Sequence, residues 1–237
     1  PDENYYGVNV TTNANGDSCD IYHNIQLDPL FIGGEDYSLQ EGSPCIDAGD
    51  PSSPYDSDGS IADMGALPSA YGTPVPIVIN IPTDYSTIQA GLTAAGTNDT
   101  VLVQPGTYTE NIIWPETNGI KLISAGDSSN TIIDGGGGEN VVIISVNTEI
   151  DTSTKMQGFK LINWSNSGNG LNLIQSNPHI SNLNFEGNSQ SNGTCIKINN
   201  ANSVIIEHSI MNNSSKGINI VPVNGTNNTR IINNQIS

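Results

Sequence analysis

The sequence predicts an all-β fold, a parallel β-helix, and three observations carry that prediction. The second half of the chain repeats. MQGFKLINWSN from Met156, ISNLNFEGNSQ from Ile180, IIEHSIMNNSS from Ile205 and IINNQIS from Ile231 align, with starts separated by 24, 25 and 26 residues. Within the blocks apolar residues alternate with polar ones: Phe159 and Leu161, Leu183 and Phe185, then Ile206 and Ile210 with one irregular step. Alternation marks a strand, because successive side chains face opposite sides of a sheet. Asn, Gly and Ser fill the intervals, and Asn tolerates the left-handed backbone that tight corners require. A repeat of about 24 residues with short strands and no helix stacks as one coil per repeat, each strand parallel to its neighbours about 4.8 Å away. Leucine-rich repeats share the length range, but their LxxLxLxxN pattern is missing.

The elements follow in order. Residues 1–67 form a loop-rich, acidic segment. Pro68, Gly72, Pro74 and Pro76 mark residues 68–78 as a linker. The β-helix occupies residues 79–237. Its one helix is STIQAGLTAAG, residues 86–96, where Ser86 and Gln89 are spaced as a capping box. Ile88, Leu92 and Ala95 fall on one face of that helix. Placed before the first strand, such a face covers the open apolar end of the solenoid and protects its sheet edge. TVLVQPGTY (100–108), GIKLISAG (119–126), NTIIDG (130–135) and NVVIISV (140–146) read as strands, and so do GLNLI (170–174), CIKI (195–198) and GINIV (217–221) between the aligned blocks.

Composition bounds the function. Of 237 residues 35% are hydrophobic and 5% aromatic, so the core is thin and aliphatic. The formal charge is −18, with 24 acids against 6 Lys and Arg. That balance excludes nucleic acid, which is held through cationic contacts to phosphate, and an anionic membrane surface. No run approaches the ~18 apolar residues of a membrane-spanning helix. Calcium is a natural partner for so many carboxylates.

The sharpest candidate site is the set Asp47, Asp50, Asp56, Asp58 and Asp63. In DSDGSIAD the alternate carboxylates precede Gly59, as in loops that wrap oxygens around a calcium ion, although the later bidentate Glu is missing. A solvated acidic turn with carboxylate-to-backbone bonds is the other reading. Catalysis has fewer candidates. Lys160, His179, Glu186 and His208 can meet on one face, but after Asp151 only Glu186 and Glu207 are acidic, and their separation is short of a full coil. Their plain reading is solvated surface. DGGGGE (134–139) lacks the Lys and following helix of a phosphate loop and reads as a corner. Trp114 and Trp164 can stack on sugar rings if exposed. Cys19 and Cys45 lie in one third of the chain and can pair, while Cys195 reads as a small buried hydrophobe.

IPTDYSTIQAGLTAAGTNDTVLVQPGTYTENI followed by NTIIDGGG resembles the start of right-handed parallel β-helix proteins of the pectin-lyase-like superfamily. LDPLFIGGEDYSLQEGSPCIDAGDP resembles the closing region, or C-terminal cap, of bacterial secreted β-helix proteins. The resemblance implies a right-handed solenoid and an extracellular or cell-surface location. It leaves activity open, since the superfamily spans lyases, hydrolases, esterases and adhesins. Two functions follow as expectations. One is a noncatalytic structural or adhesive module stabilised by calcium. The other is a carbohydrate-active enzyme or carbohydrate-binding module. The segment NNTRIINNQIS leaves Ile231, Ile232 and Ile236 on an open ladder, and residues 1–67 look like a cover for such an end. Head-to-tail self-association, a fragment of a longer chain, and fold-back of the cover within one chain are the three arrangements this pattern allows.

Overall fold

The computed structural model describes residues 11–13, 15–20, 23–34, 36–65, 67–145, 150–187, 193–212, 214–221 and 228–236. The chain divides into two compact units, Pro1–Val75 and Pro76–Ser237. The first is loop-rich. Its described strands are β1 (Thr11–Thr12) with β2 (Ser18–Cys19) and β3 (Phe31–Gly33) with β4 (Asp36–Leu39), each pair antiparallel. Leu39, Cys45 and Ile46 make a small core with Ile25 and Met64 packed on it. Residues of the segment read as a linker bond to this unit: Ser69 N to Asp63, Thr73 N to Asp47 and Val75 N to Gly59 O.

The second unit is a parallel β-solenoid of about six turns. It opens with β5 (Val78–Ile81) and helix α1 (Ile88–Ala94). The first three-stranded turn is β6 (Thr100–Val103), β7 (Gly106–Thr109) and β8 (Ile112–Ile113). Next come β9 (Lys121–Ser124), β10 (Thr131–Asp134) and β11 (Asn140–Ser145), then β12 (Lys155–Gln157), β13 (Lys160–Ile162) and β14 (Asn169–Ile174). The later turns are β15 (His179–Ser181), β16 (Asn184–Glu186) and β17 (Thr194–Asn199), then β18 (Ile205–Glu207), β19 (Ile210–Asn212) and β20 (Lys216–Val221). The last strands described are β21 (Arg230–Ile232) and β22 (Gln235–Ile236). Stacking produces three parallel sheets: sheet 1 from β5 to β21, sheet 2 from β7 to β22 and sheet 3 from β8 to β20.

Register places one inward residue per coil on each ladder. In sheet 1 these are Ile79, Val101, Leu122, Met156, Ile180 and Ile206. In sheet 2 they are Tyr108, Ile133, Leu161, Phe185 and Met211. Sheet 3 contributes Ile112, Val142, Leu171, Ile196 and Ile218. Most of them are fully buried in one continuous core. Each ladder removes apolar area from water at roughly 25 cal/mol per Å². A small aromatic-poor repeat therefore folds only by stacking on its neighbours.

Tight corners follow from backbone chemistry. The link from sheet 1 to sheet 2 passes through Gly158, Asn182, His208 and Asn233 in successive coils, at φ of 83°, 52°, 52° and 52°. Asn side chains also bridge coils: Asn169 Nδ2 donates to Asn140 Oδ1 at 2.7 Å, and Asn199 Nδ2 to Asn172 Oδ1 at 3.1 Å.

Three expectations need correction. The helix follows a strand instead of preceding the first one: β5 pairs parallel with β6, and α1 lies between them in sequence. The helix cap is Thr87, one residue beyond Ser86; its hydroxyl accepts from Ala90 N at 3.1 Å. Gln89 turns away from the cap to bond Ile113. Finally, the third repeat is offset by one residue. Ile206, not Ile205, pairs with Ile180, and Met211, not Ile210, faces inward. The spacing Ile206–His208–Met211 equals Ile180–Asn182–Phe185, so with the offset applied this corner is regular. Ile88, Leu92 and Ala95 are buried as their spacing predicts.

Candidate functional site

The five aspartates of the acidic loop lie in the first unit, and all of them bond to N–H or O–H donors. Asp47, in the left-handed region at φ 56°, accepts Thr73 N on Oδ2 at 2.9 Å. Its own amide donates to Asp63 Oδ1 at 2.9 Å, and Asp63 Oδ2 accepts Ser69 N at 2.5 Å. Asp63 N donates to Asp56 Oδ2 at 3.0 Å. Asp50 and Asp58 each accept both the amide and the hydroxyl of the serine two residues on, Ser52 and Ser60. These donors hold both carboxyl groups below the usual range, chiefly the Ser52 amide at Asp50 and the Ser60 hydroxyl at Asp58. The hydrogen bonds join Asp47, Asp63 and Asp56 in one chain, while Asp50 and Asp58 close local turns. Among the described residues no group of three or more His, Cys, Asp or Glu side chains is disposed to hold a metal ion. Asp47 Oδ1 is buried without a hydrogen-bond partner, and a Cβ on Gly72 would stand 2.8 Å from it.

The candidate catalytic residues separate onto different surfaces. Lys160 on β13 ion-pairs with Glu186 on β16, both in sheet 2. His179 on β15 meets Glu207 on β18 at 2.7 Å, both in sheet 1. His208 stands at the corner between those sheets, with Asn233 Nδ2 3.4 Å from its Nε2. His179 and His208 are thus not equivalent positions of neighbouring coils: His179 pairs with Lys155 and Ile205, whereas His208 aligns with Asn182.

At that corner lies a cleft of about 350 Å³. Residues 125–130 link β9 to β10, whereas Gly158–Phe159, Asn182–Leu183 and His208–Ser209 make the same connection in later coils. The longer link overhangs the tight corners below it. Its shape is held from within: Ser129 N and Oγ donate to Asp127 Oδ1 at 2.7 and 2.5 Å, and Ser124 Oγ bonds Thr131 Oγ1 at 2.6 Å. Gly158 makes the overhang compatible with the corner. It has φ 83°, and a Cβ there would press on Ser124 Cβ at 3.1 Å.

Other motifs resolve as structure. Trp114 and Trp164 are 2% and 1% exposed, which overturns sugar stacking by either ring. Both indole nitrogens are buried without a partner. The glycine run is a corner: Gly136 N donates to Asp134 Oδ1, and Gly136 and Gly137 have positive φ. Cys19, Cys45 and Cys195 are free, buried thiols, so Cys19 and Cys45 do not pair. Burial pushes the Cys195 thiol up to about 11.

The carboxylate-to-backbone turn of the acidic loop recurs along the chain. Asp36, Asp50, Asp58, Asp127 and Asp151 each precede a serine by two positions and accept its amide. The triplet is a turn device that the sequence displays openly. Glu110 caps α1 from a distant loop, accepting Ile88 N and Gln89 N at 2.9 Å each, and no local spacing reveals it. No protein-family model matches the chain, and no curated protein does either.

Proposed function

We propose that the chain is a noncatalytic structural or adhesive module of an extracellular or cell-surface protein. The observation that carries this reading is the continuity of its ladders. Aliphatic side chains stack coil on coil inside, Asn side-chain amides bridge neighbouring coils, and the candidates Lys160 and His179 are each held by a glutamate on separate sheets. Regular stacking of this kind makes a stiff spacer or a repetitive display surface. The N-terminal sequence of the solenoid supports membership of the pectin-lyase-like right-handed β-helices, and the cap-like segment supports a bacterial secreted protein. Incubation with pectate, alginate and comparable polyanions should release no unsaturated products. Release that Lys160→Ala or His208→Ala abolishes overturns the reading.

Calcium enters this proposal as a stabilising counter-ion of the acidic turn. At net charge −18 the folded state repels itself, and a divalent cation at clustered carboxylates relieves that repulsion. Calcium should raise the melting temperature beyond sodium chloride of equal ionic strength. A melting curve that ignores both calcium and chelator removes it from the reading.

Head-to-tail association belongs to the same proposal. Ile231 and Ile236 are 46% and 58% exposed on the last strands described, and a contact between unlike surfaces propagates as a filament unless it closes a ring. Light scattering with calcium should show species larger than a monomer. Monomer alone at high concentration, with association unchanged by deletion of residues 1–67, defeats it.

A further inference from the structure

We infer that the outer face of sheet 1 carries a column of cations that docks the acidic first unit of a second copy of the chain. The inference rests on the self-association reading and gives it a charged contact, separate from the apolar end of the ladders.

The column is read from register. Lys121, Lys155, His179, Ile205 and Arg230 pair in succession across β9, β12, β15, β18 and β21. Each precedes an inward ladder residue, so all five share the outer face. The chain has six Lys and Arg and three His, and four of those nine stand in this one row. Coils about 4.8 Å apart make it roughly 19 Å long. The adjoining row on the same face, two residues along each strand, holds Ile123, Gln157, Ser181, Glu207 and Ile232. Its one carboxylate is engaged, because Glu207 meets His179 at 2.7 Å. Lys121 Nζ donates to a neutral carbonyl, Asn98 O, at 2.9 Å. Lys155 and Arg230 have no ion pair among the described residues. A strip of cations in a chain of net charge −18 is therefore left with charge to share.

Composition supplies the partner. Residues 1–75 contain 13 Asp and Glu and no Lys or Arg, whereas residues 76–237 contain the other 11 acids and all six Lys and Arg. One sequence thus carries both halves of an electrostatic contact, on its two separate units. Within the first unit the complementary element is the hairpin β3–β4. Asp36 and Glu41 are exposed on and beside it, and Asp28 is exposed just before it. Between these carboxylates Phe31, Ile32 and Tyr37 are 41%, 55% and 66% exposed, with the rings of Phe31 and Tyr37 edge to face at 5.8 Å.

The two surfaces match group by group. Carboxylates of the hairpin meet Lys155 and Arg230, and its apolar side chains meet the half-buried Ile123 and Ile205. Either exposed ring can take a Lys or Arg on its face. A small anion would leave the apolar groups of both surfaces uncovered. Column and hairpin are unlike surfaces, so the contact is heterologous and each copy offers one of each.

The test makes charge swaps in the full chain and follows association by sedimentation velocity. Lys155→Glu with Arg230→Glu reverses the column, and Asp28→Lys with Glu41→Lys reverses the hairpin. Each pair should weaken self-association by about tenfold or more. Lys197→Glu with Lys216→Glu, on sheet 3, makes the same change in net charge as the column pair and should weaken it far less. A mixture of the column and hairpin variants should associate again, since the acidic hairpin of the first meets the intact column of the second. Melting temperatures within a few degrees of the parent show that the variants fold. Where a reversal lowers them further, Lys155→Gln with Arg230→Gln takes its place and should weaken association in the same direction. Larger species that persist in the column variant overturn the inference and leave self-association standing. Equal weakening by the sheet 3 pair, or a mixture no larger than its parts, also overturns it. A parent that stays monomeric overturns both readings, and polyaspartate bound at the column of that monomer reassigns the face to a foreign acidic protein.

Discussion

The side chain of Gln89 makes both hydrogen bonds that a neighbouring strand would make to Ile113. Its Oε1 accepts Ile113 N at 2.8 Å, and its Nε2 donates to Ile113 O at 3.0 Å. Ile113 lies on β8, an edge strand of sheet 3, beyond which no strand pairs among the described residues. Helix α1 thus closes the sheet edge through one amide, while its apolar face covers the core. The loop before β8 returns the contact, with Glu110 capping the first amides of the helix. An exposed edge invites pairing with another chain, and this pair of contacts blunts it.

Removing either side chain should loosen the lid. Glu110→Ala deletes two charge-assisted bonds at a helix N-terminus and should cost about 1–2 kcal/mol. Gln89→Ala should cost about 1 kcal/mol. Gln89→Glu should cost more than Gln89→Ala, because a carboxylate cannot donate to Ile113 O and sits beside Glu110. Urea unfolding of the three variants checks the order. Equal stability of Gln89→Glu and the parent would show that the edge does not depend on this amide.

Left-handed corners predict an asymmetric response to substitution. At His208, φ is 52°. His208→Val should destabilise by about 1–2 kcal/mol, because a β-branched side chain clashes in the left-handed region. His208→Gly and His208→Asn should be neutral or stabilising. Should Val and Gly variants melt together, the corner is not constrained as described.

The solenoid was legible because its evidence is periodic. Phe159 and Leu161, or Leu183 and Phe185, repeat their alternation on a fixed interval, and inward packing demands nothing else. The register of the third repeat was not legible, since Ile205, Ile206 and Ile210 offer several equivalent apolar choices. The strand pairing selects Ile206 and Met211, which stack on Ile180 and Phe185. Long-range roles were hidden for a different reason. Glu110 reaches α1 from 21 and 22 residues away, and sequence spacing carries no information about such a contact. Asp47, Asp63 and Asp56 are linked by hydrogen bonds through one another's amides, and composition does not distinguish a carboxylate facing a cation from one facing an amide.

Across the interior, Phe185 on sheet 2 packs over Gly170 on sheet 3. A Cβ at Gly170 would stand 2.7 Å from Phe185 Cδ1 and 2.9 Å from Cys195 O. Phe185→Ala should cost about 3–5 kcal/mol through the cavity it leaves, and Gly170→Ala about 1–3 kcal/mol through overpacking. Because the two residues share one volume, Phe185→Leu should recover part of the Gly170→Ala loss. A double-mutant cycle measures this coupling. Strict additivity would mean that the backbone beside Cys195, not the ring, resists the added methyl.

Acid should act on this protein in two opposite steps. Asp36, Asp50, Asp58, Asp127 and Asp151 are held below the usual carboxyl range by the serine two residues on, mainly through the amide at Asp36 and Asp50 and the hydroxyl at the other three. A carboxyl depressed in the folded state contributes stability above its unfolded pKa of about 3.9, and loses it as pH falls through the folded value. The whole chain acts through its net charge of −18, and any lowering of that negative charge relieves repulsion. Melting temperature should therefore rise as pH falls from 8 toward about 5, then drop steeply below about 4. Salt separates the two steps, since about 0.5 M sodium chloride screens the long-range repulsion and flattens the first while sparing the short hydrogen bonds behind the second. Ser129→Ala and Ser153→Ala remove a hydroxyl donor each, so they should lower stability at neutral pH and shrink the loss below pH 4. A melting temperature that climbs without a break to pH 3 would show that repulsion alone governs the acid response.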